Sequence, residues 1–129
     1  MKKLLIAEYQ KKKFSDLREL PKFRPGDTVR VDYEIQEGGD KGKVRVQAFE
    51  GVVIRLKKGA VEGSFTVRKV GANSVGVERS FPLCSPSVKA VKVMVHGRVR
   101  RSRLFYLRER SGKSARIKSR YSARSASAK

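Results

Sequence analysis

The sequence predicts a mainly β protein, built as a small antiparallel barrel or sandwich. Three observations predict this class. Apolar and polar residues alternate from Thr28 onwards, five or six short strand-like runs follow one another, and glycine-rich turns separate them with no helical pattern between. With 129 residues, of which 39% are hydrophobic, the chain has room for one domain with a modest core and extensions.

The N-terminal segment, residues 1–20, is predicted to be helical. Its apolar residues form only a sparse stripe among the lysines: Leu4, Leu5, Ala7, Phe14, Leu17 and Leu20. Pro21 and Pro25 bracket a break after it, because proline lacks the backbone N–H that a helix interior needs.

The first predicted strand begins at Thr28. Apolar residues alternate with polar ones through Gln36, as in a strand with one buried face: Val29, Val31, Tyr33 and Ile35 against Arg30, Asp32, Glu34 and Gln36. The glycine-rich loop at 37–42 joins it to a second run, residues 44–54, as in a β-hairpin. Gly51 inside that run indicates a bulge or a tight bend.

Three further runs complete the predicted sheet: Phe65–Val70, Val75–Phe81 and Val88–Val95. Later in the chain, Leu104–Leu107 is compatible with one last strand, and residues 113–120 suit a short basic helix. The Ser/Ala-rich tail Tyr121–Lys129 is predicted to be disordered without a partner. The chain is therefore divided into a helical extension (1–20), a barrel with a basic ribbon (21–107) and a basic C-terminal extension (108–129).

The net charge of +20 is concentrated near the C-terminus. Residues 96–129 carry twelve Lys and Arg against the single acid Glu109, a net +11, whereas residues 1–95 carry a net +9. Such a segment needs a polyanion as its partner, and the usual one is a phosphate backbone. The predicted phosphate-binding track consists of Arg98, Arg100, Arg101, Arg103, Arg108, Arg110, Lys113, Arg116, Lys118 and Arg120.

Arginine suits this task because its planar fork binds phosphate bidentately and also stacks on bases. A solvated charge run is the competing interpretation, although a stretch with one acid makes it the weaker one. Tyr106 is compatible either with stacking on a base or with packing beside Leu104 and Leu107. No signature of a sequence-specific RNA module is present, so binding is expected to be driven by the backbone and by shape.

Catalytic and metal-binding functions find little support. The chain has one histidine, His96, and one cysteine, Cys84, with no cationic neighbour to activate it. Its acids are scattered, and Gly112-Lys113-Ser114 lacks the upstream glycine of a P-loop. We therefore predict no enzyme activity, no metal and no cofactor. The single cysteine and the absence of a signal peptide or membrane-length apolar run predict a cytoplasmic protein without membrane contact.

Several motifs occur in order along the chain: Phe23-Arg24-Pro25-Gly26-Asp27-Thr28-Val29, Gln47-Ala48-Phe49-Glu50-Gly51-Val52-Val53, Phe65-Thr66-Val67-Arg68-Lys69, Gly76-Val77-Glu78-Arg79, Tyr106-Leu107-Arg108-Glu109-Arg110 and Gly112-Lys113-Ser114-Ala115-Arg116-Ile117-Lys118. Together they closely resemble the bacterial large-subunit ribosomal protein family numbered nineteen, over residues 20–119. The loop Glu37–Lys43 and the tail Tyr121–Lys129 exceed the family's usual pattern.

The resemblance implies an SH3-like β-barrel and a structural role in the cytoplasmic ribosome. The implied partners are large-subunit ribosomal RNA, small-subunit ribosomal RNA in an intersubunit bridge, and neighbouring large-subunit proteins. Arg68, Lys69 and Arg79 join the predicted RNA contacts, and Glu50, Glu78 and Glu109 are expected to orient arginines by pairing. The alternative function is an architectural protein acting on DNA, which would bind duplex DNA as well as it binds ribosomal RNA.

Overall fold

The computed structural model describes residues 2–15, 20–39, 42–59 and 62–120. It contains one α-helix and one sheet: α1 (Lys2–Ser15), β1 (Thr28–Gln36), β2 (Val44–Lys57), β3 (Ser64–Val70), β4 (Gly76–Pro82) and β5 (Val88–Val95). The mainly β class and the N-terminal helix are confirmed. The rest of the predicted helix, residues 16–19, and the predicted disordered tail lie outside the described residues.

Helix α1 presents apolar side chains to solvent. Leu4, Leu5, Ile6 and Tyr9 are all exposed. Neither α1 nor any other helix in the part of the chain described here is long and apolar enough to cross a membrane.

All five strands are antiparallel and lie in the order β4-β3-β2-β1-β5. The long central strand β2 pairs with β1 from Val44 to Val52 and with β3 from Val52 to Lys57. A shift in register between Val53 and Arg55 bends β2 as it passes from one partner to the other. Gly51, where the sequence indicated a bulge or bend, pairs regularly with Val29 and lies two residues before this bend. A Cβ at Gly51 would overlap the backbone of Arg68.

The sheet curls strongly but does not close. Phe81, on edge strand β4, reaches Tyr33 on β1 with a ring-centroid distance of 5.7 Å, although β3 and β2 lie between the two strands. The predicted barrel is therefore an open one in the described residues, because no hydrogen-bonded ladder among them joins β4 to β5. After Val95 the chain leaves the sheet, and Gly97 pairs with Ser119 instead of with another strand.

The main core fills the concave face of this curl. It consists of residues that alternate along the strands, as the sequence pattern predicted: Val29, Val31, Tyr33, Phe49, Val53, Phe65, Val67, Phe81, Val88 and Val91. The aromatic rings contact one another, with Phe65 and Phe81 centred 5.5 Å apart. Burial of these side chains is the main source of stability for a sheet of this kind.

A second, smaller core lies on the other face of β2. Ile54, Leu104 and Leu107 are buried there, and Val52, Val99, Tyr106, Ala115 and Ile117 pack against them. The last strand predicted at Leu104–Leu107 is wrong, because residues Phe105–Arg108 form a 3-10 helix. In a 3-10 helix, residues three apart lie on one side, so Leu104 and Leu107 are both buried while Phe105 is exposed.

The C-terminal segment folds back across this second core. The short basic helix predicted over 113–120 is limited to a 3-10 turn at Gly112–Ala115. The chain then runs beside His96–Arg98, where the Arg98 N–H donates to the Lys118 carbonyl (2.8 Å) and the Arg120 N–H donates to the His96 carbonyl (2.7 Å). The basic track up to Arg120 thus packs against the rest of the protein. The proposed division at residues 20/21 and 107/108 stays a prediction.

Candidate nucleic-acid interface

A buried carboxylate holds the two ends of the C-terminal segment together. Asp27, in the turn before β1, is fully buried. Its Oδ2 accepts the Arg24 N–H at 3.0 Å, and its Oδ1 accepts the Gly97 N–H at 3.0 Å and Arg120 Nη2 at 3.1 Å. A charged hydrogen-bond acceptor in this setting fixes several donors at one point.

Close backbone packing makes this arrangement possible. Gly26 has a φ of +97°, and a Cβ there would meet the side chain of Val99 at 2.8 Å. A Cβ at Gly97 would overlap the carbonyl oxygen of Gly26. His96 lies in the same cluster, with Nδ1 3.4 Å from Asp27 Oδ2. Nothing in the sequence distinguishes Asp27 from the other scattered acids, so its role was missed.

Two clefts share Tyr106, which packs against the second core, in their linings. A cleft of about 450 Å³ is lined by Arg98, Val99, Arg100, Tyr106, Arg116, Ile117 and Lys118. A cleft of about 270 Å³ is lined by Arg98, Val99, Arg100, Arg101, Tyr106 and Arg110. Every charged residue in both linings is basic. This surface therefore attracts anions, and no carboxylate in either lining neutralises its positive charge.

Tyr106 holds two of the arginines in place. The guanidinium carbons of Arg101 and Arg110 lie 5.4 Å and 4.8 Å from the centre of its ring. Cations are attracted to the negative face of an aromatic ring at these distances. In the structure, the ring of Tyr106 thus packs on the protein and carries arginines, which favours the packing interpretation over stacking on a base.

A second cluster of basic side chains is neutralised by Glu78. Its Oε1 accepts Arg68 Nη1 at 3.0 Å, and Arg108 binds it bidentately, with Nε 2.7 Å from Oε1 and Nη2 2.8 Å from Oε2. The hydrogen bond from Arg108 lowers the pKa of Glu78 despite its partial burial, and the pairing raises the pKa of Arg108. The expected orienting role of Glu78 is confirmed, whereas Glu50 and Glu109 form no ion pair within the described ranges.

A third cleft, lined by the two arginines that pair with Glu78, has mixed charge. It encloses about 400 Å³, and its lining includes Arg68, Arg108, Arg110 and Arg116 together with Glu109. Arg110 and Arg116 therefore lie on the border between this cleft and the two clefts beside Tyr106.

Lys69 and Arg79 lie on aromatic rings of the sheet. Lys69 Nζ is 4.7 Å from the ring centre of Phe49, and the Arg79 guanidinium carbon is 4.0 Å from that of Tyr33. Neither residue lines any of the three clefts described above.

The thirteen predicted contact residues therefore separate by location. Six line the Tyr106 clefts: Arg98, Arg100, Arg101, Arg110, Arg116 and Lys118. The others pair with Glu78 (Arg68, Arg108), pair with Asp27 (Arg120), lie on sheet aromatics (Lys69, Arg79) or are exposed outside the three clefts (Arg103, Lys113). Sequence alone showed the charge of these residues but not their partners.

A curled sheet that carries a C-terminal lobe (residues 96–120) with two basic clefts defines a small β protein with an anion-attracting surface. The family model for Ribosomal protein L19 matches residues 4–120. The chain belongs to this family of bacterial large-subunit ribosomal proteins. Members are structural proteins of the cytoplasmic ribosome and not enzymes, which confirms the predicted family, class and location. In addition, no group of three or more His, Cys, Asp or Glu is placed to hold a metal ion in the ranges that the structure covers.

Individual relatives agree with the family match. The chain is similar to the large ribosomal subunit protein bL19 of Wolinella succinogenes, at 50% identity over 118 residues, which covers 92% of this chain and 97% of the relative. It is similar to the protein of the same name from Campylobacter lari, at 48% identity with the same coverage. For that of Helicobacter hepaticus, identity is 50% over 101 residues, or 78% of this chain and 83% of the relative. None of these findings supports the alternative of a DNA-binding architectural protein.

Proposed function

We propose that this large-subunit ribosomal protein binds large-subunit ribosomal RNA through its C-terminal lobe and helps to form a bridge to small-subunit ribosomal RNA at the subunit interface. Other large-subunit proteins are its proposed neighbours. The RNA-contacting residues are drawn from the thirteen bases located above, with the Tyr106 clefts as the principal site.

The observation that carries this proposal is the pair of clefts beside Tyr106, whose charged lining is entirely basic. The backbone that bears these bases is held by the second core and by Asp27, so the lobe is ordered before RNA binds. Binding to a preorganised surface avoids part of the entropy cost of ordering long side chains. Each phosphate that the lobe neutralises releases condensed counterions, which favours binding.

A bridge needs contacts to two RNA partners, and a second basic surface supports it. Lys69 and Arg79 lie over the rings of Phe49 and Tyr33, away from the linings of the Tyr106 clefts. A Lys69→Gln/Arg79→Gln variant should therefore assemble into large subunits but slow their association with small subunits, as measured by light scattering. Unchanged association would contradict the bridging part of the proposal.

The binding part is tested by titrating the full chain with a large-subunit ribosomal RNA fragment at several salt concentrations. The logarithm of the affinity should fall steeply with the logarithm of the salt concentration, by about 0.7–0.9 for each phosphate that the chain neutralises. A duplex DNA of equal length is the control and should bind more weakly. A nearly flat salt dependence, or equal binding to the duplex DNA, would refute the proposal.

A further inference from the structure

The bases of the C-terminal lobe differ in whether a carboxylate already holds them. Arg108 and Arg120 have short ion pairs, with Glu78 and Asp27, and Arg68 shares Glu78. Among the described residues, no carboxylate forms an ion pair with Arg98, Arg100, Arg101, Arg110, Arg116 or Lys118. A guanidinium in a bidentate pair must give up that pair to bind a phosphate, whereas the second group has no such pair to break.

We propose that the two clefts lined by Tyr106 form one paired phosphate site, which takes two neighbouring phosphodiester groups of a single RNA strand. Arg98 and Arg100 stand between the two groups and contact both. Arg68, Arg108 and Arg120 serve to hold the protein together. This inference rests on the proposed binding of ribosomal RNA and specifies how it occurs.

The position of Arg98 and Arg100 is the main argument for a paired phosphate site. Both clefts are lined by the same stretch, Arg98-Val99-Arg100, and by Tyr106. The stretch is fixed at its centre because Val99 packs against the second core, and at its start because the Arg98 N–H donates to the Lys118 carbonyl. Two arginines on an anchored backbone thus reach both clefts, and each arginine offers several N–H donors in a planar fork.

Each cleft is also lined by two basic side chains that the other cleft lacks. Arg116 and Lys118 line the larger cleft, while Arg101 and Arg110 line the smaller one. Each phosphate would therefore contact two basic side chains that line only its own cleft of the pair, together with the shared Arg98 and Arg100. Such a charge-dense pair of sites suits two anions a short distance apart better than a single one.

Tyr106 selects for phosphate over a nucleobase. The guanidinium groups of Arg101 and Arg110 already lie over its ring, at 5.4 Å and 4.8 Å from the ring centre. A base that stacked on this ring would have to displace those cations. A phosphate can instead bind the N–H groups of the same arginines while they remain on the ring.

The first test removes the two shared arginines. An Arg98→Gln/Arg100→Gln variant is compared with Arg55→Gln/Lys57→Gln, which removes two exposed positive charges from β2, away from the clefts. The salt slope for the ribosomal RNA fragment should fall by about 1.5 in the first variant, the value for two phosphates, with at least a roughly 10-fold loss of affinity. The control should lose much less on both measures.

The second test examines the RNA. A fragment in which single phosphodiesters are replaced, one at a time, by neutral methylphosphonates should weaken wild-type binding most at two neighbouring positions. The same two replacements should weaken binding of the Arg98→Gln/Arg100→Gln variant less than they weaken binding of the wild type, because only the remaining bases of each cleft then contact those phosphates. Sensitive positions that are isolated or far apart would overturn the paired site.

The third test concerns the ring. Tyr106→Phe keeps the aromatic face and should bind RNA within about 2-fold of wild type, whereas Tyr106→Leu should lose roughly 10-fold because Arg101 and Arg110 lose their cation–π support. Thermal unfolding of both variants identifies any loss of fold. Should Tyr106→Leu fail to fold, the comparison of Arg98→Gln/Arg100→Gln with its control decides the question.

The failure of this inference can be distinguished from that of the proposed function. A steep wild-type salt slope with equal losses in the two double variants would mean general electrostatic attraction without a paired site. That result overturns the inference and leaves ribosomal RNA binding intact. A flat slope for the wild type would refute both.

Discussion

Replacement of Asp27 by alanine should be severely destabilising. The carboxylate is fully buried and accepts hydrogen bonds from the Arg24 and Gly97 N–H groups and from Arg120 Nη2, at 3.0–3.1 Å. In Asp27→Ala, two backbone donors lose their acceptor, and each unsatisfied buried group costs about 1–3 kcal/mol. The Arg120 guanidinium also loses its partner, and breaking a buried pair in this way typically costs about 3–5 kcal/mol in all.

We therefore expect the free energy of unfolding to fall by about 3–5 kcal/mol, which for a chain of this size lowers Tm by about 12–20 °C. Urea unfolding at neutral pH, followed by circular dichroism, measures the loss. Arg120→Gln should account for only part of it, because the two backbone donors keep their acceptor.

The matched control is Asp32→Ala. Asp32 pairs with Arg30 at 3.3 Å, and the arginine side chain is 49% exposed, so this surface pair should contribute less than about 1 kcal/mol. If Asp27→Ala costs no more than Asp32→Ala, the assignment of Asp27 as the fastening point of the C-terminal segment is refuted.

Three further predictions concern the two cores and Glu78. Leu104→Ala should lower the free energy of unfolding by about 2–5 kcal/mol because Leu104 is fully buried, whereas Phe105→Ala, at a 36% exposed position, should cost much less. Denaturant unfolding compares the two variants, and similar losses would contradict the second core. The hydrogen bond from Arg108 lowers the pKa of Glu78 from 4.5, so the stability that this pair provides is fully present above pH 4.5 and is lost as the pH falls through the lowered value. The difference in unfolding free energy between wild type and Glu78→Gln should therefore shrink on acidification from about pH 6 to pH 3. A constant difference would argue against the pair. Gly51→Ala should cost more than about 1 kcal/mol, since its Cβ would overlap the Arg68 backbone, and a neutral effect would contradict the close approach of β2 and β3.

The sheet was largely predictable because its signal is local. In β1, Val29, Val31 and Tyr33 alternate with polar residues, and the three apolar side chains are buried as that period requires. Turn residues marked the strand ends within one position, except that β2 runs three residues past the predicted Ile54 to Lys57. Whether such strands close into a barrel depends on contacts between distant residues, such as Phe81 with Tyr33, which no local pattern encodes.

The C-terminal lobe was less predictable for two physical reasons. A four-residue apolar run such as Leu104–Leu107 is too short for its period to separate a strand from a 3-10 helix. The partners of its bases are also set by tertiary structure: Glu78 is 30 residues from Arg108, and Asp27 is 93 residues from Arg120. Charge composition therefore indicated a basic surface, while the protein partner of each Lys and Arg became visible only in the fold.

The contact between Asp27 and Arg120 also has a consequence for the order in which the protein matures during its own synthesis. The two residues are separated by 93 positions, so at about 5–20 residues per second Asp27 is made roughly 5–20 s before its guanidinium partner. Strands β1 to β5 precede Gly97 in the chain, and the main core can assemble in that interval. Of the three donors to Asp27, Arg120 is the last to be synthesised, so the basic lobe can be completed only when nearly all of the described chain has been made.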